Sequence, residues 1–329
     1  MISSLGSRIL INFVFFLLCN LCLVQTSYTQ DPSKKLPKYT VQSIGDSIEV
    51  ISAGKKMDGF WIYLPEKDII PANNVVLFMH GYGAFNPLLF GAWIRHLVQQ
   101  GNIVIYPRYQ KTLTVPRPRQ FVNNSLTGLK DAFRVLADRG WEESLWSDLD
   151  VVGHSYGGVI SMNMAEHQAE YGIPPIKNVM ICNAGSGPFK AGVLDNYNNV
   201  EANLIMLTSQ YDTTVGSKFT KRVERLTAHK SNKIYLQQRS FSAKNYKITS
   251  HHNEPYALDT AFDNGIRNYT VKKAFRVGQT NEIDTEGYWK LFDNLIHHGD
   301  DFIRQIMKQN EWSISEKYPA LKLRIQTIR

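Results

Sequence analysis

Gly153-His154-Ser155-Tyr156-Gly157 constrains this chain more than any other stretch, because it joins an apolar run, Asp148 to Val152, to a helix-like stretch from Gly158 to Glu170. The pattern reads as a strand, a sharp turn and a helix, with a serine at the apex. Gly153 and Gly157 flank the turn because a backbone bent that tightly leaves no room for neighbouring side chains. Ser155 is therefore the candidate nucleophile, with its hydroxyl raised above the end of a sheet.

A serine hydroxyl is a poor nucleophile near neutral pH. It needs a histidine to accept its proton, a carboxylate to orient that histidine, and amide donors for the oxyanion that forms. Where a serine sits on such an elbow, the acid follows at the end of a later strand and the histidine on a loop beyond it. Asn203 to Asp212 is an apolar strand ending in an acid, and the run Lys233 to Phe241 leads into Ser250-His251-His252-Asn253-Glu254-Pro255. Asp212 and one of His251 or His252 fill the two remaining places. Upstream, the buried-strand pattern Asn74 to Met79 ends in His80-Gly81-Tyr82-Gly83, where an oxyanion loop belongs. The expected donors are the backbone amides of Tyr82 and Tyr156, with His80, Gly81, Gly83, Gly153 and Gly157 as supporting residues.

These residues resemble the α/β-hydrolase superfamily over roughly residues 40 to 308. Gly153 to Gly158, Tyr211-Asp212-Thr213, and Ser250-His251 with Pro255 close behind are similar to the cutinase-like and polyester-hydrolase group and its esterase and lipase neighbours. That group carries its histidine directly after a serine, so the resemblance favours His251. Tyr156 stands where the group commonly has methionine. The fold implied is α/β: a mostly parallel central sheet with helices on both faces and no large lid domain. The activity implied is hydrolysis of carboxylic esters through a Ser-His-Asp triad and an acyl-enzyme, without a cofactor, on a small-molecule, lipid or polymer ester. An amidase or peptidase-type acyl hydrolase, and a non-catalytic binding protein on the same fold, stay open.

The length of 329 residues and the lack of a Pro-, Gly- or Ser-rich linker suit one large domain over residues 31–329, with the last 15 or so residues as a tail. Expected helices run from Asn86 to Gln100, Gln120 to Asp138, Gly158 to Glu170, Gly216 to His229 and Glu286 to Met307. Asn102 to Pro107 reads as a further core strand, and Tyr39 to Ile51 and Gly59 to Leu64 as antiparallel strands leading into the sheet. The interval Gly185 to Ala202 is too short for a helical lid, which implies a mostly open site.

Arg8, the apolar run Ile9 to Val24 and the polar stretch after it read as a signal peptide over residues 1–30, and so as a secreted or periplasmic protein. Its removal leaves Cys182 as the only cysteine, inside an apolar strand and without a disulfide partner. It also takes the formal charge from +8 to about +7. Arg108, Lys111, Arg117 and Arg119 follow a core strand and are expected at the mouth of the site, where they would favour anionic substrates or peripheral contact with anionic surfaces. The histidines show no metal-ligand spacing. No phosphate-binding glycine loop occurs, and the lack of a basic helix or an aromatic RNA-binding signature argues against nucleic acid. Oligomeric state is not legible.

Overall fold

A computed structural model describes residues 34–326 apart from 46, 55, 67–71, 115 and 245. The expected signal peptide, with Cys19 and Cys22, lies outside the described residues. Residues 35–329 form one contact unit.

Thirteen strands are present: β1 (Tyr39–Ile44), β2 (Ile48–Ala53), β3 (Phe60–Pro65), β4 (Asn74–Met79), β5 (Asn102–Pro107), β6 (Leu149–His154), β7 (Ile176–Cys182), β8 (Asn203–Ser209), β9 (Lys233–Gln238), β10 (Phe241–Ala243), β11 (Tyr246–Ile248), β12 (Glu311–Ser313) and β13 (Lys322–Ile325). Eleven of them make one sheet in the order β1-β2-β3-β5-β4-β6-β7-β8-β9-β13-β12, and β10 and β11 pair separately.

The expected α/β-hydrolase fold with a mostly parallel central sheet is corrected here. The sheet is mixed: the five ladders among β5, β4, β6, β7, β8 and β9 are parallel, and the other five are antiparallel. The cause is connection length. β1 to β2 and β2 to β3 are joined by loops too short for a crossover, and short loops can only reverse the chain. The turns use Gly45 and Gly54 at φ of 60° and 70°, which glycine adopts without strain. At the other margin, the alternating stretch Leu321 to Ile325 is not a tail. It enters the sheet as β13, antiparallel to both β9 and β12.

Among the described residues there are seven α-helices: α1 (Gly91–Gln99), α2 (Phe121–Asp138), α3 (Tyr156–Glu166), α4 (Gln168–Tyr171), α5 (Lys218–Leu226), α6 (Tyr269–Val277) and α7 (Lys290–Gln309). Alternation along the strands builds a core on each face. Val76 and Phe78 of β4 pack with Trp93 and Leu97 of α1 and Phe292 and Leu295 of α7. Val75, Leu77 and Met79 of the same strand pack with Leu129 and Leu136 of α2 and Val159 and Ile160 of α3. The central strands are therefore buried on both sides, which is why they read as continuous apolar runs. α3 is buried along its whole length. α7 is interrupted at Gly299, whose φ of 52° and ψ of −126° notch the helix over β8. A side chain there would begin 2.9 Å from the Asn203 amide nitrogen.

Candidate functional site

The carboxyl ends of β6, β4 and β8 bring the site together. Ser155 follows β6 with φ of 54° and ψ of −121°, a geometry that costs a non-glycine residue about 1–3 kcal/mol. Neighbouring backbone holds it there. The Ser155 amide donates to the Cys182 carbonyl at 3.0 Å, and the Ser155 carbonyl accepts from Gly158 and Gly185 at 3.0 and 3.1 Å. A Cβ on Gly153 would lie 2.5 Å from Ser161 Oγ, and one on Gly157 would run into the Met79 and His80 carbonyl oxygens. Both glycines are thus required by close backbone approach.

The histidine beside Ser155 is His252, which corrects the expectation of His251. His252 Nε2 lies 2.9 Å from Ser155 Oγ, and its Nδ1 lies 2.8 Å from Asp212 Oδ2. Burial pushes the Asp212 carboxyl up, but the bond from His252 and the amides of Val215 and Thr214 more than offset it and hold the group below the ordinary carboxylate value. His251 points away, with Nε2 3.5 Å from Glu254 Oε2 and its Nδ1 accepting the Asn253 amide at 3.1 Å. The reason is the anchoring of Ser250. Its hydroxyl donates to the Gln238 carbonyl and accepts the Gln210 amide, both at 2.8 Å, so Ser250 faces inward, His251 outward and His252 inward again.

Sequence reasoning missed what braces this histidine. His154 Nε2 donates to the His252 carbonyl at 2.9 Å, and Asn183 Nδ2 donates to the same oxygen at 3.1 Å. Burial lowers the His154 ring to about 3, so it is neutral. Asn183 stands directly after β7 with φ of 48°, a conformation asparagine tolerates better than most residues. An asparagine at a strand end was the one signal available for it.

The candidate oxyanion loop, residues 80–83, is held from three sides. His80 Nδ1 lies 2.7 Å from the Gly81 carbonyl, Gln110 Oε1 accepts the Gly83 amide at 2.8 Å, and Asn268 Nδ2 donates to the Gly83 carbonyl at 2.8 Å. His80 is stacked between the rings of Tyr106 and Tyr109, at 5.1 and 4.1 Å, and burial lowers it to about 4. Both predicted donor residues, Tyr82 and Tyr156, line the pocket that holds Ser155. Among the described residues, neither backbone amide donates to another backbone group outside a helix or strand. Amide donors beside the nucleophile are what a developing oxyanion needs.

No protein-family model matches this chain, and no curated protein matches it. The chemistry rests on the pocket itself, a cavity of ≈ 350 Å³ whose walls include Tyr82, Tyr156, Phe189, Val215 and Tyr256. The expected mouth cations are corrected: Arg108, Lys111, Arg117 and Arg119 do not line it, and the Arg108 guanidinium lies over the Trp61 ring at 5.6 Å. Gly185 to Phe189 line the cavity, and so do Tyr269, Thr270 and Lys273 of α6, a helix the sequence reading left unassigned. Among the described residues, no group of three or more His, Cys, Asp or Glu is arranged to hold a metal ion. Cys182 is buried, and burial pushes its thiol up.

Proposed function

We propose that this protein is a serine hydrolase that cleaves carboxylic esters through an acyl-enzyme intermediate, exported from the cytoplasm by its N-terminal segment. The observation that carries the reading is His252, with Ser155 Oγ at 2.9 Å on one ring nitrogen and Asp212 at 2.8 Å on the other. His252 accepts the Ser155 proton through Nε2 as Oγ attacks the ester carbonyl, while Asp212 holds Nδ1–H and balances the imidazolium. The amides of Tyr82 and Tyr156 receive the oxyanion. His252 then gives the proton to the departing alcohol. In the second half, the same histidine takes a proton from water as that water attacks the acyl carbonyl, then returns the proton to Ser155 Oγ as the carboxylic acid departs. No step calls on a cofactor.

The test compares the purified protein with Ser155→Ala on p-nitrophenyl acetate, butyrate and octanoate. Turnover is expected to fall at least about 10³-fold in the variant. A Ser155→Ala rate close to wild type overturns the reading.

A further inference from the structure

Lys273 is the one Lys, Arg, Asp or Glu that lines the pocket. It belongs to α6, where it shares a face with Thr270 and Tyr269, three and four residues earlier, and both of these also line the cavity. Among the described residues no carboxylate forms an ion pair with its ammonium. The acids of the site and of the segment before α6 have partners of their own. Glu254 sits behind His251, Asp212 is taken by His252, Asp263 by Arg267 and Asn86, and Asp259 by Arg95. An unpaired cation at the rim of a cavity with mostly apolar walls attracts an anion more strongly than one in open solvent, because the walls displace screening water.

The side of the pocket that Lys273 occupies is also informative. Lys273 lines the same cavity as His252 and Asn253. In acyl transfer the departing alcohol lies against the histidine that protonates it. The ammonium and that histidine therefore face one cavity.

We infer that Lys273 binds an anionic group on the alcohol half of the substrate, so that the preferred esters are those whose departing alcohol carries a carboxylate or a group of similar charge. This rests on the ester-hydrolase reading above. The chemistry is unchanged by it: the ester C–O bond breaks, His252 supplies the proton to the leaving oxygen, and Lys273 only holds the far end of the departing group.

The test uses 4-acetoxybenzoate and its neutral isostere 4-acetoxybenzamide with wild type, Lys273→Ala, Lys273→Arg and Lys273→Glu, following release of the phenol. Each protein is scored by its ratio of kcat/KM for the charged over the neutral ester, so the intrinsic reactivities of the two esters cancel between variants. Lys273→Ala is expected to lower the ratio about 5-fold, through KM for the charged ester, in line with a partly exposed ion pair. Lys273→Arg retains the wild-type preference, Lys273→Glu lowers it further, and high salt narrows the gap between wild type and Lys273→Ala. Equal ratios in wild type and Lys273→Ala, with both esters turned over in a Ser155-dependent way, overturn this inference alone. Wild-type turnover of neither ester above Ser155→Ala overturns the hydrolase reading and this inference with it.

Discussion

His154 Nε2 donates to the backbone carbonyl of His252 at 2.9 Å, so the residue before the candidate nucleophile fixes the residue that pairs with it. The two rings lie 4.9 Å apart between centroids. His154 therefore couples the end of β6 to a loop almost a hundred residues away in sequence.

Replacing His154 with leucine removes the only side-chain donor that β6 offers to that carbonyl, leaving Asn183 to hold it alone. A fall in kcat of about 10-fold or more is expected with native circular dichroism, because small displacements of a general base are costly. His154→Gln, which keeps an amide donor within reach, should recover part of the loss. Equal rates in both variants and wild type would count against the brace.

The two adjacent histidines separate cleanly. His252→Ala should lower kcat by about 10³-fold or more, whereas His251→Ala, which removes its contact with Glu254 and its bond from the Asn253 amide, should stay within about 10-fold of wild type. Steady-state kinetics on one p-nitrophenyl ester decides it.

Glu254 predicts a pH effect on stability. Burial raises its carboxyl to about 7, against hydrogen bonds from Asn281, Gln238 and the His251 amide that act the other way. A group raised in the fold contributes stability at low pH and loses it as pH climbs through the folded value. Between about pH 4.5 and pH 7 the unfolded chain ionises Glu254 first and is favoured, at a cost on the order of 2–3 kcal/mol. Glu254→Gln should flatten that part of the curve in urea titrations at pH 4.5, 6 and 8. Parallel curves for the two proteins would contradict it.

Asn268 has two tasks that one substitution can split. Its Oδ1 caps α6 by accepting the Val271 amide at 2.9 Å, and its Nδ2 holds the Gly83 carbonyl of the oxyanion loop. Asn268→Asp keeps the cap but sets a carboxylate against that carbonyl, so kcat should fall while the melting temperature changes little. Asn268→Ala should lose both, with about 1 kcal/mol of stability gone for the cap. Unchanged kcat in both would detach Asn268 from the loop.

Much of the central architecture was legible. β4 and β5 fall on the expected residues because strands buried on both faces write themselves as uninterrupted apolar runs. Ser155, Asp212 and the H-G-x-G loop were legible because backbone geometry and proton transfer each demand particular residue types. The choice between His251 and His252 was not, since it depends on which way Ser250 faces, and that is set by Gln238 and Gln210. α6 was missed because only Val271 and Ala274 of its nine residues are buried, too few to write a period. The alternation from Leu321 to Ile325 suits an edge strand or a loose end equally, because four alternating residues do not name a partner lying over eighty residues away at β9.

The break at Gly299 has a mechanical consequence. α7 is seated on β8 like a key in its slot, with the Asn203 amide occupying the space a side chain would need. Sliding the helix by one turn would drive Leu295 or Ile303 against that amide, so α7 cannot ratchet along the sheet. Any breathing of the cavity falls instead to α6, which lines it and whose Tyr269 and Phe275 stand in water.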